Sequence, residues 1–253
     1  MKLGLIQYSP VWEDKEKNKK QVIDILSTGL SSADLLIFPE MTLTGFSMNS
    51  KLLAEDLEGE SVLFFKNIAK KKNVNVIAGV ILKEEDKIYN TAVHINSHGE
   101  VKSVYKKIHP YTYSTEDKNY SAGSQTEVTV IDNWNIGLSV CYDLRFPELY
   151  RFYAKLRTEL IINIANWPVD RIEHWRYLLK ARAIENQCYV AGVNRVGDAQ
   201  GLHYNGFTSV YDPMGNEIIG IENEEGIFST EINIADVKKT RNDLPFLKDI
   251  KMI

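Results

Sequence analysis

Two blocks of the chain lay out the same succession of short apolar runs and amphipathic stretches, and this repetition constrains the fold more than any other feature. In the first block, residues 3–6 and 35–38 are continuous apolar runs ended by turn or proline signals, the pattern of strands buried on both faces of a sheet. Between them Val22, Ile25, Leu26 and Leu30 fall near helical spacing over residues 18–30. Residues 60–72 predict a second amphipathic helix through Val62, Phe65, Ile68 and Ala69. Residues 74–81, 92–95 and 101–105 then predict strands, the last two joined by a turn at Ser97-His98-Gly99.

The second block follows in the same order. Residues 136–140 predict its opening strand, 147–156 its first helix, 160–165 its second strand and 175–187 its second helix. Val190-Ala191-Gly192-Val193 echoes Ile77-Ala78-Gly79-Val80, Tyr204-Asn205 echoes Tyr89-Asn90, and Asp212-Pro213-Met214-Gly215 stands in the place of the Ser97 turn. Two such halves packed face to face predict an α/β protein, a four-layer αββα sandwich with an internal pseudo-twofold repeat. The 253 residues suit a single domain, 1–253, with a body over about 1–232 and a C-terminal tail over 233–253 outside the repeat. Leu244, Pro245, Phe246 and Leu247 suit that tail to docking on the body or on another subunit.

Composition excludes several classes of function. A formal net charge of -4 gives no broad cationic field for a phosphate backbone, so no nucleic acid is expected as a partner. The lysines between Lys15 and Lys20 alternate with Glu16 and Asn18 and read as the solvated face of a helix. No stretch approaches the apolar length of a membrane span, and the opening MKLGLIQYSP reaches a proline too soon for a signal peptide. A cytoplasmic protein without membrane attachment is the expectation, with Cys141 and Cys188 as free thiols. The five histidines, His94, His98, His109, His174 and His203, show no metal-binding spacing, and no nucleotide-binding glycine motif occurs. No metal and no cofactor are expected.

Cys141 follows the strand over residues 136–140 and precedes a helix, a corner that exposes a thiol and aims backbone N–H groups at it. Taken alone, a cysteine so placed is more often a small inert hydrophobe, and Cys188 keeps that reading. A nucleophilic thiol needs a base or a nearby cation. Glu40, in Phe38-Pro39-Glu40, follows a wholly apolar strand, where desolvation would tune a carboxylate toward general-base work. Of Lys106 and Lys107, strand alternation points one inward, where an ammonium could stabilise a thiolate or an oxyanion.

Together the segments Phe38-Pro39-Glu40, Tyr105-x-Lys107-x-His109 and Cys141-Tyr142-Asp143-Leu144-Arg145-Phe146-Pro147-Glu148 resemble the Glu, Lys and Cys motifs of the nitrilase, or carbon–nitrogen hydrolase, superfamily. The likeness runs over nearly the whole chain. It implies the αββα sandwich, a homodimer formed through the helices that flank the sheets, and a small-molecule amide as substrate. It also implies Glu40 as general base, Lys107 as oxyanion stabiliser and Cys141 as nucleophile, with the Tyr142 N–H completing the oxyanion hole. Glu116, placed by its spacing to Tyr120-Ser121-Ala122-Gly123, would position Lys107 and the substrate.

The stretches Asn166-Trp167-Pro168-Val169-Asp170-Arg171, His174-Trp175, Ala181-Arg182-Ala183-Ile184-Glu185-Asn186-Gln187, Asn194-Arg195-Val196-Gly197 and His203-Tyr204-Asn205-Gly206 resemble the bacterial omega-amidase branch. That branch implies hydrolysis of the terminal amide of short 2-oxo dicarboxylic acid monoamides through a thioester. Tyr142, Arg145, Trp167 and Arg171 would line the pocket. Arg145, Arg171 and Arg195 are the candidates for the substrate carboxylate, although Arg145 could equally pair with Asp143. Pro110 and Tyr111 depart from the Leu-Phe more usual in the family, on the loop that leads to Glu116. The alternatives within the superfamily are hydrolysis of N-carbamoyl amino acids, deaminated glutathione or a nitrile. The further rivals are an acyltransferase using the same thioester and an interaction protein without catalysis.

Overall fold

A computed structural model describes residues 1–28 and 32–251. The first half contributes strands β1 (Lys2–Gln7), β2 (Leu35–Ile37), β3 (Asn75–Glu84), β4 (Lys87–Ile95) and β5 (Val101–Lys106). Helix α1 (Lys15–Thr28) joins β1 to β2, and α2 (Ser50–Leu53) and α3 (Glu60–Lys72) lie between β2 and β3. Leu30, the expected end of the first helix, lies outside the described residues. A short helix α4 (Glu116–Asn119) and strand β6 (Val128–Ile131) connect the halves.

The second half runs β7 (Trp134–Val140), α5 (Pro147–Lys155), β8 (Leu160–Ile164), α6 (Ile172–Asn186) and β9 (Tyr189–Val193). A meander of β10 (Val196–Ala199), β11 (Leu202–Tyr211) and β12 (Glu217–Glu222) follows. The chain closes with β13 (Gly226–Glu231), helix α7 (Ile234–Asp243) and a short 3-10 turn at Phe246–Asp249.

The repeat is visible in the sheets. One has the order β13-β1-β2-β3-β4-β5, with β1, β2 and β3 parallel and β4 and β5 returning antiparallel. In the other, β7, β8 and β9 are parallel, β6 guards the edge beside β7, and β11 pairs with β9 from the far side. The Tyr89 and Tyr204 echo holds by element but is offset by two residues. Gly79 pairs with Ala92, two beyond Asn90, whereas Gly192 pairs with Ser209, four beyond Asn205. Gly206 and Phe207, both at positive φ, take up the difference in a bulge of β11.

Alternation along the strands explains why these runs contain no polar residues. Leu3, Leu5, Leu35, Ile37 and Ile77 face the second sheet, joining Ile136, Leu138, Ile162 and Ile164 in one core. Ile6, Leu36, Val76 and Ala78 face outward against Val22 and Leu26 of α1 and Val62 and Phe65 of α3. Helices α5 and α6 cover the second sheet in the same way, so four layers result.

Three features depart from the sequence reading. The N-terminal helix begins at Lys15, where Asp14 accepts a hydrogen bond from the Lys17 N–H at 3.0 Å, and Asn18 is buried, bonded to Val11 and Leu43. Lys15 and Lys19 are not merely solvated, since they tie the helix to Glu55 and Glu60. Strand β13, unmarked by any apolar alternation, leaves the second half and pairs with β1, joining first and last strands. The segment after it docks on the body. Arg241 donates to the carbonyls of Gln187 and Thr158, and Val237 and Leu247 are buried.

Gly79 of β3 fixes how closely the chain after β2 can approach. A Cβ there would lie 2.4 Å from the Met41 nitrogen and 2.6 Å from the Glu40 Cα, closer than atoms tolerate. Gly79→Ala is therefore expected to lower stability by about 1–3 kcal/mol through overpacking, read as a fall in melting temperature. An unchanged transition would show that the Glu40 turn has room to spare.

Candidate active site

The parallel strands of both sheets end on the same side, and the loops that follow them carry the expected residues. Glu40 follows β2, Lys107 follows β5, Cys141 follows β7 and Asn166 follows β8. Ligands in open α/β sheets collect at carboxyl ends of strands for the same topological reason.

Lys107, only 1% exposed, lies between two buried carboxylates. Its Nζ is 3.0 Å from Glu40 Oε1 and 2.8 Å from Glu116 Oε2. Burial alone would push this ammonium down, but the attraction of Glu116 and Glu40 outweighs it and holds the group well above its ordinary value. Lys107 is therefore a fixed cation. Burial raises the Glu116 carboxyl, with Lys107 opposing that shift. Glu116 also accepts from the Tyr111 N–H at 2.6 Å, which anchors the loop bearing Pro110 and Tyr111.

Amides complete the cluster. Asn90 Nδ2 donates to Glu40 Oε1 at 2.7 Å and to Glu116 Oε1 at 2.8 Å. From the second half, the Asn166 N–H donates to Glu40 Oε2 at 2.9 Å and its Nδ2 to the Glu40 carbonyl at 2.7 Å. Each Glu40 oxygen is thus oriented by a donor from a different half. Asn90 was visible in the sequence only as an echo position and Asn166 only as the start of an omega-amidase-like stretch, because nothing local marks an amide as a carboxylate's partner.

Cys141 opens a 3-10 turn, Cys141–Arg145, directly after β7 and holds φ at +47°. Met41, beside Glu40, and Thr115, beside Glu116, are also left-handed, at φ 45° and 63°. Such backbone costs of order 1–3 kcal/mol per residue and persists only where surrounding contacts fix it. Here Asp143 supplies them. It accepts from the Val140 N–H at 3.0 Å, the Tyr105 hydroxyl at 2.8 Å and the His109 N–H at 3.0 Å, and contacts His109 Nδ1 at 2.7 Å. This corrects the pairing of Asp143 with Arg145. His109, stacked on Phe146 at 3.8 Å, joins the Lys107 loop to the Cys141 turn. From α6, Arg182 donates to the Leu144 carbonyl at 2.8 Å and closes the turn from the other side.

Burial pushes the Cys141 thiol well above its ordinary range, Glu40 and Glu116 add to that, and Lys107 opposes it. The cation does not win, so the resting group is a thiol rather than the thiolate a nearby ammonium would suggest.

Cys141 faces a cavity of about 570 Å³ whose wall includes Tyr111, Tyr142, Arg145, Trp167, Arg171 and Tyr204. All four expected pocket residues, Tyr142, Arg145, Trp167 and Arg171, are on it. Arg145 lies 4.7 Å over the Trp167 ring and 3.2 Å from His174 Nδ1, and Arg171 lies 6.0 Å from the Tyr111 ring. Neither arginine pairs with a carboxylate among the described residues. Arg195 is wholly buried behind Tyr204 and is not part of the wall.

The family model of the carbon–nitrogen hydrolases matches residues 2–242. This chain belongs to that family. It is 34% identical to omega-amidase YafV of Escherichia coli strain K12 across 98% of the chain and 96% of that protein. With 2-oxoglutaramate amidase of Bacillus subtilis strain 168 it shares 30% identity across 98% and 97%. Its fold is similar to that of XC1258 from Xanthomonas campestris, a CN-hydrolase superfamily protein with an arsenic adduct in its active site, at a TM-score of 0.95 and 32% identity, covering 100% of this chain and 98% of that one. The chain is thus an amidase of the nitrilase superfamily, and the expectation of an α/β sandwich with two mixed sheets inside helices holds.

A thiol raised by burial should show no ultraviolet thiolate absorbance at or below pH of about 8.5 in the difference between the wild-type enzyme and Cys141→Ser. A titration step near neutrality would mean that Lys107 dominates the site.

Proposed function

We propose that this amidase is an omega-amidase, releasing ammonia from the terminal amide of short 2-oxo dicarboxylic acid monoamides, with Cys141 as nucleophile. The observation that carries the substrate class is the cavity beside Cys141, where Arg145 and Arg171 are cations that pair with no carboxylate among the described residues. Guanidinium groups clamp carboxylates bidentately, and a dicarboxylic monoamide keeps one carboxylate after its amide is placed at the thiol. The named activities of the Bacillus subtilis and Escherichia coli relatives support the same class.

In this reading Glu40 takes the thiol proton as Cys141 attacks the amide carbon, which suits a thiol that rests neutral. Lys107 and the Tyr142 N–H hold the oxyanion, and the fixed charge of Lys107 needs no reorganisation as the oxyanion forms. Glu40 returns its proton to the departing ammonia. It then activates water to hydrolyse the thioester. Glu116 keeps Lys107 in place, and Trp167, whose Nε1 donates to the Arg171 carbonyl at 2.7 Å, keeps Arg171 on the wall.

The chain would work as one unit over residues 1–253, in the cytoplasm and without a cofactor. A homodimer is supported by the exposed apolar side chains Phe152 on α5, Leu156 just after it, and Tyr177 and Ile184 on α6.

Ammonia release from a panel of 2-oxo monoamides, N-carbamoyl amino acids, deaminated glutathione and nitriles tests the reading. Cys141→Ala should lose roughly 10⁴-fold or more in kcat with every substrate, and Glu40→Gln should be severely impaired and also lower the melting temperature, because it takes one carboxylate from the buried Lys107. Arg171→Met should lower kcat/KM roughly 10- to 100-fold for substrates bearing a carboxylate, chiefly through KM. Faster turnover of N-carbamoyl compounds than of 2-oxo monoamides would overturn the omega-amidase reading while leaving the thiol chemistry standing.

A further inference from the structure

Tyr204 has no task in the scheme above, yet its placement is costly. It lies on β11, is 4% exposed, and forms part of the cavity wall beside Cys141. The buried tyrosines Tyr8, Tyr105, Tyr120 and Tyr153 each donate to a protein oxygen. The Tyr204 hydroxyl has no such partner among the described residues. A phenol donor left open on a nearly closed wall is available to whatever fills the cavity.

Beneath its ring lies a second unsatisfied group. The Arg195 guanidinium carbon is 4.5 Å from the Tyr204 ring centroid, and the residue is fully buried. Its Nε donates to the Val196 carbonyl at 3.0 Å, while Nη1 and Nη2 find no acceptor among the described residues. No carboxylate pairs with it among the described residues. A buried cation without a counter-ion is expensive, and the aromatic face is the compensation the fold provides. The stack holds the ring in one orientation and places a positive charge behind it. The phenol shares the cavity wall with Cys141 and Arg171. Burial pushes its pKa up to about 12, with Arg195 opposing, and it therefore remains a neutral donor.

We propose that Tyr204, held by Arg195, donates a hydrogen bond to an uncharged acceptor next to the substrate's carboxylate and thereby selects a 2-oxo group over a 2-ammonium group. The inference rests on the omega-amidase reading, in which the acceptor is the 2-oxo oxygen. A 2-amino acid amide such as glutamine would bring an ammonium against a phenol O–H backed by a buried guanidinium. The phenol oxygen can turn to accept from that ammonium, but the Arg195 guanidinium behind the ring sets cation against cation. Glu13, a carboxylate on the cavity wall, is held by Ser47 and Asn49, Asn49 at 2.8 and 3.0 Å.

The test compares wild type with Tyr204→Phe, which removes only the open hydroxyl, on three amides that differ at the 2-position: 2-oxoglutaramate, the monoamide with CH₂ there, and glutamine. Expected is a loss of roughly 10- to 100-fold in kcat/KM with the 2-oxo substrate, a change within about 2-fold with the CH₂ analogue, and a narrowed preference for 2-oxoglutaramate over glutamine. Arg195→Met should narrow that preference further. Equal losses with the 2-oxo and CH₂ substrates, or no loss with either, would overturn the assignment. Wild-type failure to turn over 2-oxoglutaramate is a separate result, seen before any variant is made, and it would remove the omega-amidase reading and this inference together.

Discussion

Everything at the active end of this molecule depends on one buried ammonium held between two carboxylates. Ion pairs taken out of water gain little net stability, but loss of one partner leaves an uncompensated charge and costs several kcal/mol. The Glu40–Lys107–Glu116 cluster is therefore a constraint more than a stabiliser. It permits only arrangements in which the ends of β2 and β5 and the start of α4 converge. Asn90 and Asn166 fill the remaining acceptor positions, so the cluster is bonded on several sides and cannot relax by rotating one side chain.

The sandwich exists, in this sense, to bring the cluster to the thiol. Cys141 is on the second sheet and Glu40 on the first, and the bond from the Asn166 N–H to Glu40 spans the two. Asp143 performs the reciprocal task, reaching from the Cys141 turn to Tyr105 and His109 of the first half. These crossed ties fix the chain on either side of the left-handed backbone at Met41 and Cys141. Residues flanking the reacting groups are thereby kept in place by contacts that a separate half could not make.

Much of this was legible in the sequence because buried parallel strands announce themselves as short apolar runs and because three separated motifs fixed the chemistry. The runs before Glu40 and Cys141 and the two helices of each half fell within a few residues of their observed bounds. What was not legible depended on distance in space. Strand β13 carries no apolar alternation, being an edge strand whose pairing with β1 is made over more than two hundred residues of sequence. Asp143 looked like a local partner for Arg145, and only the packed sheets reveal that Tyr105 and His109 reach it first. A general base at Glu40 already presupposes a neutral thiol; what was hidden is that burial, with two carboxylates, raises that thiol against the pull of Lys107.

The pseudo-twofold also explains why the site is single although the fold is repeated. Gly79 and Gly192 occupy echoing positions, and both are forced by close contact, but the contacts differ. Gly79 admits the Glu40 turn, whereas Gly192 admits Leu179 and Trp175 of α6. In the first half the glycine brings a carboxylate against the sheet; in the second it seats a helix. The loop after β8 consequently ends in the amide of Asn166, which supports Glu40 instead of duplicating it. A second carboxylate in that place would set two negative charges facing each other across the axis with one lysine to serve both them and Glu116, an arrangement that burial penalises. The asymmetry of charge at matched loops is thus what sets one thiol beside one buried lysine and its two carboxylates on a symmetric scaffold.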